Sequence, residues 1–292
     1  KPKDYKPSVV LKSKEEIEAE IAEIADYPVL DLPDRKLKKE YLDYFGIKIG
    51  VSEQDGRTPR LHYYPYTSLE TGELTGYKVR LIEGKRIWSL GELKKTELFG
   101  WRQALESDGR NLYITEGELD AVSLFQILKE RNKGGKYEDM NPAVVSLAHG
   151  ATAAVRDLTP HLEQIQRRWK EVILVYDMDE AGRQAAEETL KILPNAKVAE
   201  LPDKDLNDCL VNGKARAAFN AIQFNAERPK NTRLVTASSV VADARQQTPW
   251  GYSYPYNALT QLTRGRRLGE VIYIGAGVGN SPFMQGCMSI TL

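Results

Sequence analysis

The chain has 292 residues, 41% apolar and 28% charged, a composition that suits a soluble globular protein of two or three domains. There is no run of 18 apolar residues, so no membrane-spanning helix is expected. Two cysteines and three histidines exclude a disulfide scaffold and a four-ligand zinc site at recognisable spacing, so a reducing cytoplasmic setting and no zinc are expected.

The net charge is zero but unevenly placed. Residues 35–104 carry 14 basic and 9 acidic residues, residues 105–215 carry 14 and 20, and residues 216–292 carry 8 and 3. A basic lobe beside an acidic one fits a cation site facing a phosphate-binding surface, or plain solvated faces.

The elements follow in chain order. Residues 1–33 form an arm: a Lys- and Pro-rich start, then "SKEEIEAEIAEIAD", a helix opened by a Ser13/Glu16 capping box with Ile17, Ile21 and Ile24 on one face. Residues 34–106 read as a small α+β subdomain. It holds the helix "KLKKEYLDYFGI", then antiparallel strands in "HYYPY" and "GYKVRLI" with the turn "TGEL" between them. From residue 107 to 225 the pattern becomes strand–helix–strand–helix, with strands "NLYIT", "AVVSLA", "VILVY" and "KVAEL". Helices follow in "LDAVSLFQILKERN", roughly Val155 to Trp169, "EAGRQAAEETLKIL" and a short one after "PDKDLND". Short apolar strands alternating with helices predict an α/β, mostly parallel sheet with flanking helices, and ligands beyond the carboxyl ends of its strands. Residues 226–264 read as a linker containing a short helix in "SSVVADARQQ". Residues 265–292 look like the start of a further domain.

Acidic residues gather where the strands end: Glu116 and Asp120 in "TEGELDA", Asp177 and Asp179 in "VYDMDEAG", and Asp203, Asp205 and Asp208 in "LPDKDLND". Crowded carboxylates repel unless cations or donors compensate. Each cluster alone could be a helix cap. Three clusters at three strand ends of one sheet point instead to a hard divalent cation, which takes oxygen ligands.

These linked motifs, "TEGELDA", "VVSLAHGA", "ILVYDMDEAGRQAAEE" and "LPDKDLND" in order, resemble the TOPRIM primase half of the bifunctional primase–helicases of phage replication. The resemblance covers roughly residues 35–225 and includes "GYKVR" and "ELFG". It implies a TOPRIM-type sheet and a nucleotidyltransferase that makes short RNA on single-stranded DNA with Mg²⁺ or Mn²⁺ and ribonucleoside triphosphates. By that resemblance Asp177, Asp179 and Asp205 are metal ligands, Glu116 is a ligand or general base, and Asp120 assists it. Lys78, Arg80, Lys85 and Arg86 would contact triphosphate or template phosphates. His149 would contact nucleotide or serve as a structural loop histidine. Arg183 would reach phosphate or pair with Glu187 on its own helix.

The same family implies a helicase domain or subunit, a DNA polymerase and a ring oligomer as partners, and no membrane. Its template-reading zinc module is expected upstream of Lys1 or on a partner. "GEVIYIGAGVGNSPF" resembles the opening of a RecA-like helicase, but Asn280 stands where a P-loop needs Lys, so no helicase or ATPase activity is expected. The competing readings are a TOPRIM nuclease and a non-catalytic DNA-binding or helicase-organising domain.

Overall fold

The computed structural model describes residues 12–229 and 250–267. Residues 12–229 lie within one compact unit, and 250–267 within a second. The sequence-predicted helix at 238–247 and the Gly-rich stretch holding Asn280 lie outside the described residues.

The first unit begins with helix α1, Lys14–Ala25, whose Ser13/Glu16 capping box is present as expected. Its Ile17, Ile21 and Ile24 pack on Tyr63, Tyr77, Val79 and Leu90. Helix α2, Lys39–Tyr44, leads into four antiparallel strands: β1 Lys48–Val51, β2 Pro59–Thr67, β3 Leu74–Leu81 and β4 Ile87–Gly91, paired in that order. Side chains alternate across a strand. Tyr63, Tyr77 and Val79 therefore face α1, while Tyr64 and Tyr66 turn to the opposite face and join a core with Phe99, Tyr113, Leu119 and Val122. That shared core fastens the antiparallel sheet to the α/β part of the unit.

Helix α3, Trp101–Glu106, opens this α/β part: β5 Asn111–Thr115, α4 Glu118–Asn132, β6 Ala143–Ser146, α5 Ala154–Leu158, α6 Leu162–Arg168, β7 Glu171–Val175, α7 Glu180–Ile192, β8 Lys197–Val198, α8 Leu206–Val211 and α9 Ala215–Gln223. The four strands are parallel in the order β6-β5-β7-β8. Leu112, Ile114 and Leu174 are buried on one face of this sheet, and Tyr113, Ile173 and Val175 on the other. Burial on both faces is why these strands read as unbroken apolar runs.

The mixed α/β class, the parallel sheet and the antiparallel sheet ahead of it are as the sequence predicts. The helix expected from Val155 to Trp169 is instead two helices with a 3₁₀ turn, Thr159–His161, between them. Pro160 sits in that turn, and a proline has no N–H to continue the ladder. No helix among the described residues is long and apolar enough to cross a membrane. In the second unit a short helix, Asn257–Thr263, stands beside a bridge between Tyr252 and Arg266.

Candidate active site

Strands β5 and β7 are neighbours, with Thr115 opposite Val175. Glu116, one residue past β5, and Asp177, two residues past β7, therefore emerge at the same carboxyl edge. The backbone N–H groups of Asp177 and Ala151 lie near enough to the Glu116 carboxylate to favour its ionised form. Its Oε2 is buried with no hydrogen-bond partner. Burial, and then the charge of Asp179, push the Glu116 carboxyl above its ordinary range.

Asp177 begins the turn between β7 and α7. Burial first, then Glu116, Asp205 and Asp179, push its carboxyl up to about 7. The turn is exceptionally tight: a Cβ on Gly182 would lie 2.1 Å from the Asp177 carbonyl oxygen. Glycine is needed here because the first turn of α7 rests directly on that carbonyl.

Asp179 caps α7, its Oδ1 accepting from the Gly182 N–H at 3.0 Å. Asp205 caps α8 through the Asp208 N–H at 2.6 Å. Asp120, in the first turn of α4, accepts from the Asn207 N–H at 3.1 Å. Burial and the charges of Asp205, Asp177 and Glu116 hold the Asp120 carboxyl well above its usual range. Capping and cation binding are thus compatible. Each of these three aspartates commits one oxygen to a backbone N–H and has a second that makes no hydrogen bond among the described residues. As they stand, no three His, Cys, Asp or Glu side chains among the described residues converge to hold one ion.

The basic residues separate into distinct roles. Lys78 and Arg80 share one face of β3, opposite Tyr64 and His62 of β2. Lys78 donates to Glu118 Oε1 at 2.5 Å and to the Ala148 carbonyl at 2.9 Å. Among the described residues Arg80 has no acidic partner, and neither has Arg35. Both guanidiniums lie close enough to His62 to add to the effect of its burial, which pushes its imidazole down to about 4. Arg86 is exposed beside the turn Glu83–Lys85, and the Lys85 side chain lies outside the described residues.

The two remaining candidates are occupied otherwise. His149 is held by the Asp157 carboxylate at Nδ1 (2.9 Å) and the Leu93 carbonyl at Nε2 (2.9 Å), matching the structural-loop alternative. Arg183 pairs with Glu180 at 3.0 Å and donates to the Met178 carbonyl at 3.3 Å, rather than pairing with Glu187. It braces the turn that carries Asp177 and Asp179.

Three residues outside the sequence-derived set are built into the site. Asn207 donates to Asp120 through its backbone, accepts from Arg35 at 3.1 Å, and donates through Nδ2 to Ser123 Oγ and the Arg35 carbonyl. Arg35 is thereby tethered across the molecule. Glu118 receives both Lys78 and the Tyr66 hydroxyl. Glu118 and Asn207 stand in the motifs "TEGELDA" and "LPDKDLND", whereas Arg35 is hidden in the basic run "DRKLKK".

A Toprim-like family model matches residues 113–210. Over 225 residues the chain is 32% identical to the DNA helicase/primase of Enterobacteria phage T3, covering 74% of this chain and 37% of that protein. It is 31% identical over 150 residues to the DNA primase of Salmonella typhimurium, covering 48% and 23%. The chain thus spans less than two fifths of the length of these curated relatives. The primase fragment of the bacteriophage T7 primase-helicase matches with a TM-score of 0.57 at 29% identity, covering 76% of this chain and 82% of that one. A second solved structure holds T7 primase domains bound to an RNA/DNA hybrid and dTTP with the lagging-strand DNA polymerase. It matches with a TM-score of 0.56 at 30% identity, covering 69% and 93%.

Proposed function

Because the chain belongs to the phage DNA helicase/primase family and aligns with its primase part, we propose that it is a primase domain that joins ribonucleotides into short RNA on a single-stranded DNA template. The observation that carries this reading is the gathering of Glu116, Asp120, Asp177, Asp179 and Asp205 at the carboxyl edge of one parallel sheet, with the cationic side chains of Arg35, Lys78 and Arg80 contributed by the part of the chain ahead of it.

The donor set suits a hard divalent cation. It consists of oxygens only, it includes the partnerless Glu116 Oε2, and burial together with neighbouring acids raises the proton affinity of Glu116, Asp120 and Asp177. Asp177 and Asp179 are the main ligands in this reading, with Asp205 supporting them and Mg²⁺ or Mn²⁺ as the ion. Such an ion supplies charge stabilisation to the transferring phosphoryl group. The chain's own residues do the rest. Glu116, its carboxyl raised by burial and by the charge of Asp179, is placed to accept the proton of the attacking 3′-hydroxyl. Asp120 holds the Asn207 backbone, and Asn207 holds Arg35. Arg35, Lys78 and Arg80 orient triphosphate or template phosphates, and Lys85 and Arg86 are further candidates for the same phosphates by the family resemblance alone. His149 and Arg183 support the loops rather than the substrate. By the same reading the partners are a helicase part and a replicative DNA polymerase, in a ring oligomer of the longer protein within the cytoplasm of an infected cell.

The test incubates the chain with single-stranded DNA, ribonucleotides and Mg²⁺ or Mn²⁺, with and without a preformed dinucleotide, beside the Asp177→Ala, Asp179→Ala double variant. Extended RNA from the parent chain alone supports the reading. Shortened DNA favours a nuclease. DNA binding with no RNA from either protein favours a non-catalytic role.

A further inference from the structure

The Lys78 ammonium is held from several sides by elements of both sheets. It rises from β3, yet its contacts lie mostly on the other sheet: Glu118 at the start of α4 (2.5 Å) and the carbonyl of Ala148, just past β6 (2.9 Å). Tyr66 of β2 contributes its ring, 5.8 Å from the ammonium, and its hydroxyl, which donates to the same Glu118 Oε1 at 2.6 Å. Both partners of the ion pair are largely enclosed, with 21% of the Lys78 side chain and 11% of the Glu118 side chain exposed.

A buried ion pair is weak as a stabilising device, because removing two charges from water offsets most of their attraction. Apolar side chains would join the sheets at least as well. What the pair does supply is a fixed position for a charge. An ammonium has three N–H donors; two are taken by Glu118 and Ala148, which leaves one. Lys is otherwise a flexible point charge on a four-carbon stem. Here the stem is clamped at the carboxyl edge where Glu116 follows β5, only two residues before Glu118.

We infer that Glu118 is a positioning residue: with Tyr66 it fixes the Lys78 ammonium at the edge of the acidic site, with one N–H left for a phosphate oxygen of the incoming nucleotide. This rests on the reading of Lys78 as a nucleotide contact. Glu118 itself touches no substrate. Its Oε1 accepts from both the Lys78 ammonium and the Tyr66 hydroxyl.

The test measures Mg²⁺-dependent binding of a fluorescent ribonucleoside triphosphate together with steady-state primer extension, in the parent chain, Glu118→Gln, Tyr66→Phe, Lys78→Met and the Glu118→Gln, Lys78→Met double variant. A loosened ammonium weakens ground-state and transition-state contacts alike, so Glu118→Gln is expected to raise nucleotide Kd and KM about tenfold with kcat within about twofold. Tyr66→Phe is expected to raise them about threefold by removing one hydrogen bond while keeping the ring. In the Lys78→Met background Glu118→Gln is expected to add nothing. Unchanged Kd and KM in Glu118→Gln, or an equal further loss in the Lys78→Met background, would overturn the assignment. Should Glu118→Gln fail to fold, Tyr66→Phe decides, and an unchanged Kd there overturns it. Primer extension absent from the parent chain, with the binding pattern intact, counts against the primase reading and leaves the positioning role standing.

Discussion

The backbone N–H of Met178 donates to the carbonyl of Lys204 at 2.7 Å, which ties the turn carrying Asp177 and Asp179 to the loop carrying Asp205. Two acidic segments far apart in sequence are thus held together by a main-chain bond that no acidic side chain has to provide. The repulsion among the carboxylates is borne by the backbone, and its relief is measurable.

Asp177→Asn is expected to stabilise the cation-free protein at pH 8. Its carboxyl is pushed up to about 7 by burial and by Glu116, Asp205 and Asp179, so the ionised form is disfavoured in the fold. After discounting for partial exposure the gain is about 1–3 kcal/mol, read from denaturant unfolding. Added Mg²⁺ is expected to raise the melting temperature of the parent chain more than that of the variant. A variant that is less stable than the parent without cations would contradict the crowding argument.

Gly182→Ala forces a methyl to within 2.1 Å of the Asp177 carbonyl oxygen. The start of α7 must then move, and with it Asp179. The expected cost is about 2–4 kcal/mol, together with weakened Mn²⁺ affinity by calorimetry. An unchanged unfolding midpoint would show that the turn is looser than described.

Asn207→Ala removes one side chain that serves Arg35 and Ser123, leaving both short of a partner. Stability is expected to fall by about 2–3 kcal/mol, as for other buried hydrogen-bond networks. Nucleotide affinity is expected to fall with it, because Arg35 loses its tether. Asn207→Asp, which retains only the acceptor, is expected to recover part of the Arg35 contact.

His62 and His161 are both buried with carboxylate-free ring nitrogens, and both imidazoles are pushed down to about 4. Burial is the main cause for each; Arg80 and Arg35 add to it at His62, whereas Glu97 and Asp157 oppose it at His161. The folded state therefore favours the neutral rings. Their contribution is fully present above pH 6.5 and is lost as pH falls toward 4, by about 2–3 kcal/mol for each ring. Unfolding midpoints measured across that window are expected to fall less steeply in His62→Gln than in the parent.

Much of the fold was legible because the parallel sheet writes itself plainly. β5 and β7 are apolar on both faces, and the acidic residue after each strand marks the edge where ligands gather. What sequence could not decide was whether Asp179 and Asp205 cap helices or face a cation. The structure makes them caps through one oxygen each, a local fact that leaves the other oxygen for the site. The failures are of a different kind. Pro160 breaks a helix that side-chain periodicity carried straight through. That Lys78 meets Glu118, 40 positions away, has no local signal. Arg35 has no local signal, since its partner Asn207 is 172 positions distant. Periodicity reports which face is buried, but not which long side chains meet across a fold.

The carboxyl edge of the parallel sheet is expected to hold a divalent cation and a nucleotide between its acids and the basic side chains ahead of it. Anomalous diffraction from crystals grown with Mn²⁺ and a non-hydrolysable ribonucleoside triphosphate tests this directly. The expected result is a manganese peak at about 2.0–2.3 Å from oxygens of Asp177 and Asp179, with the triphosphate within reach of Lys78. Ordered triphosphate with no peak beside either aspartate, or manganese held only elsewhere on the molecule, would contradict it.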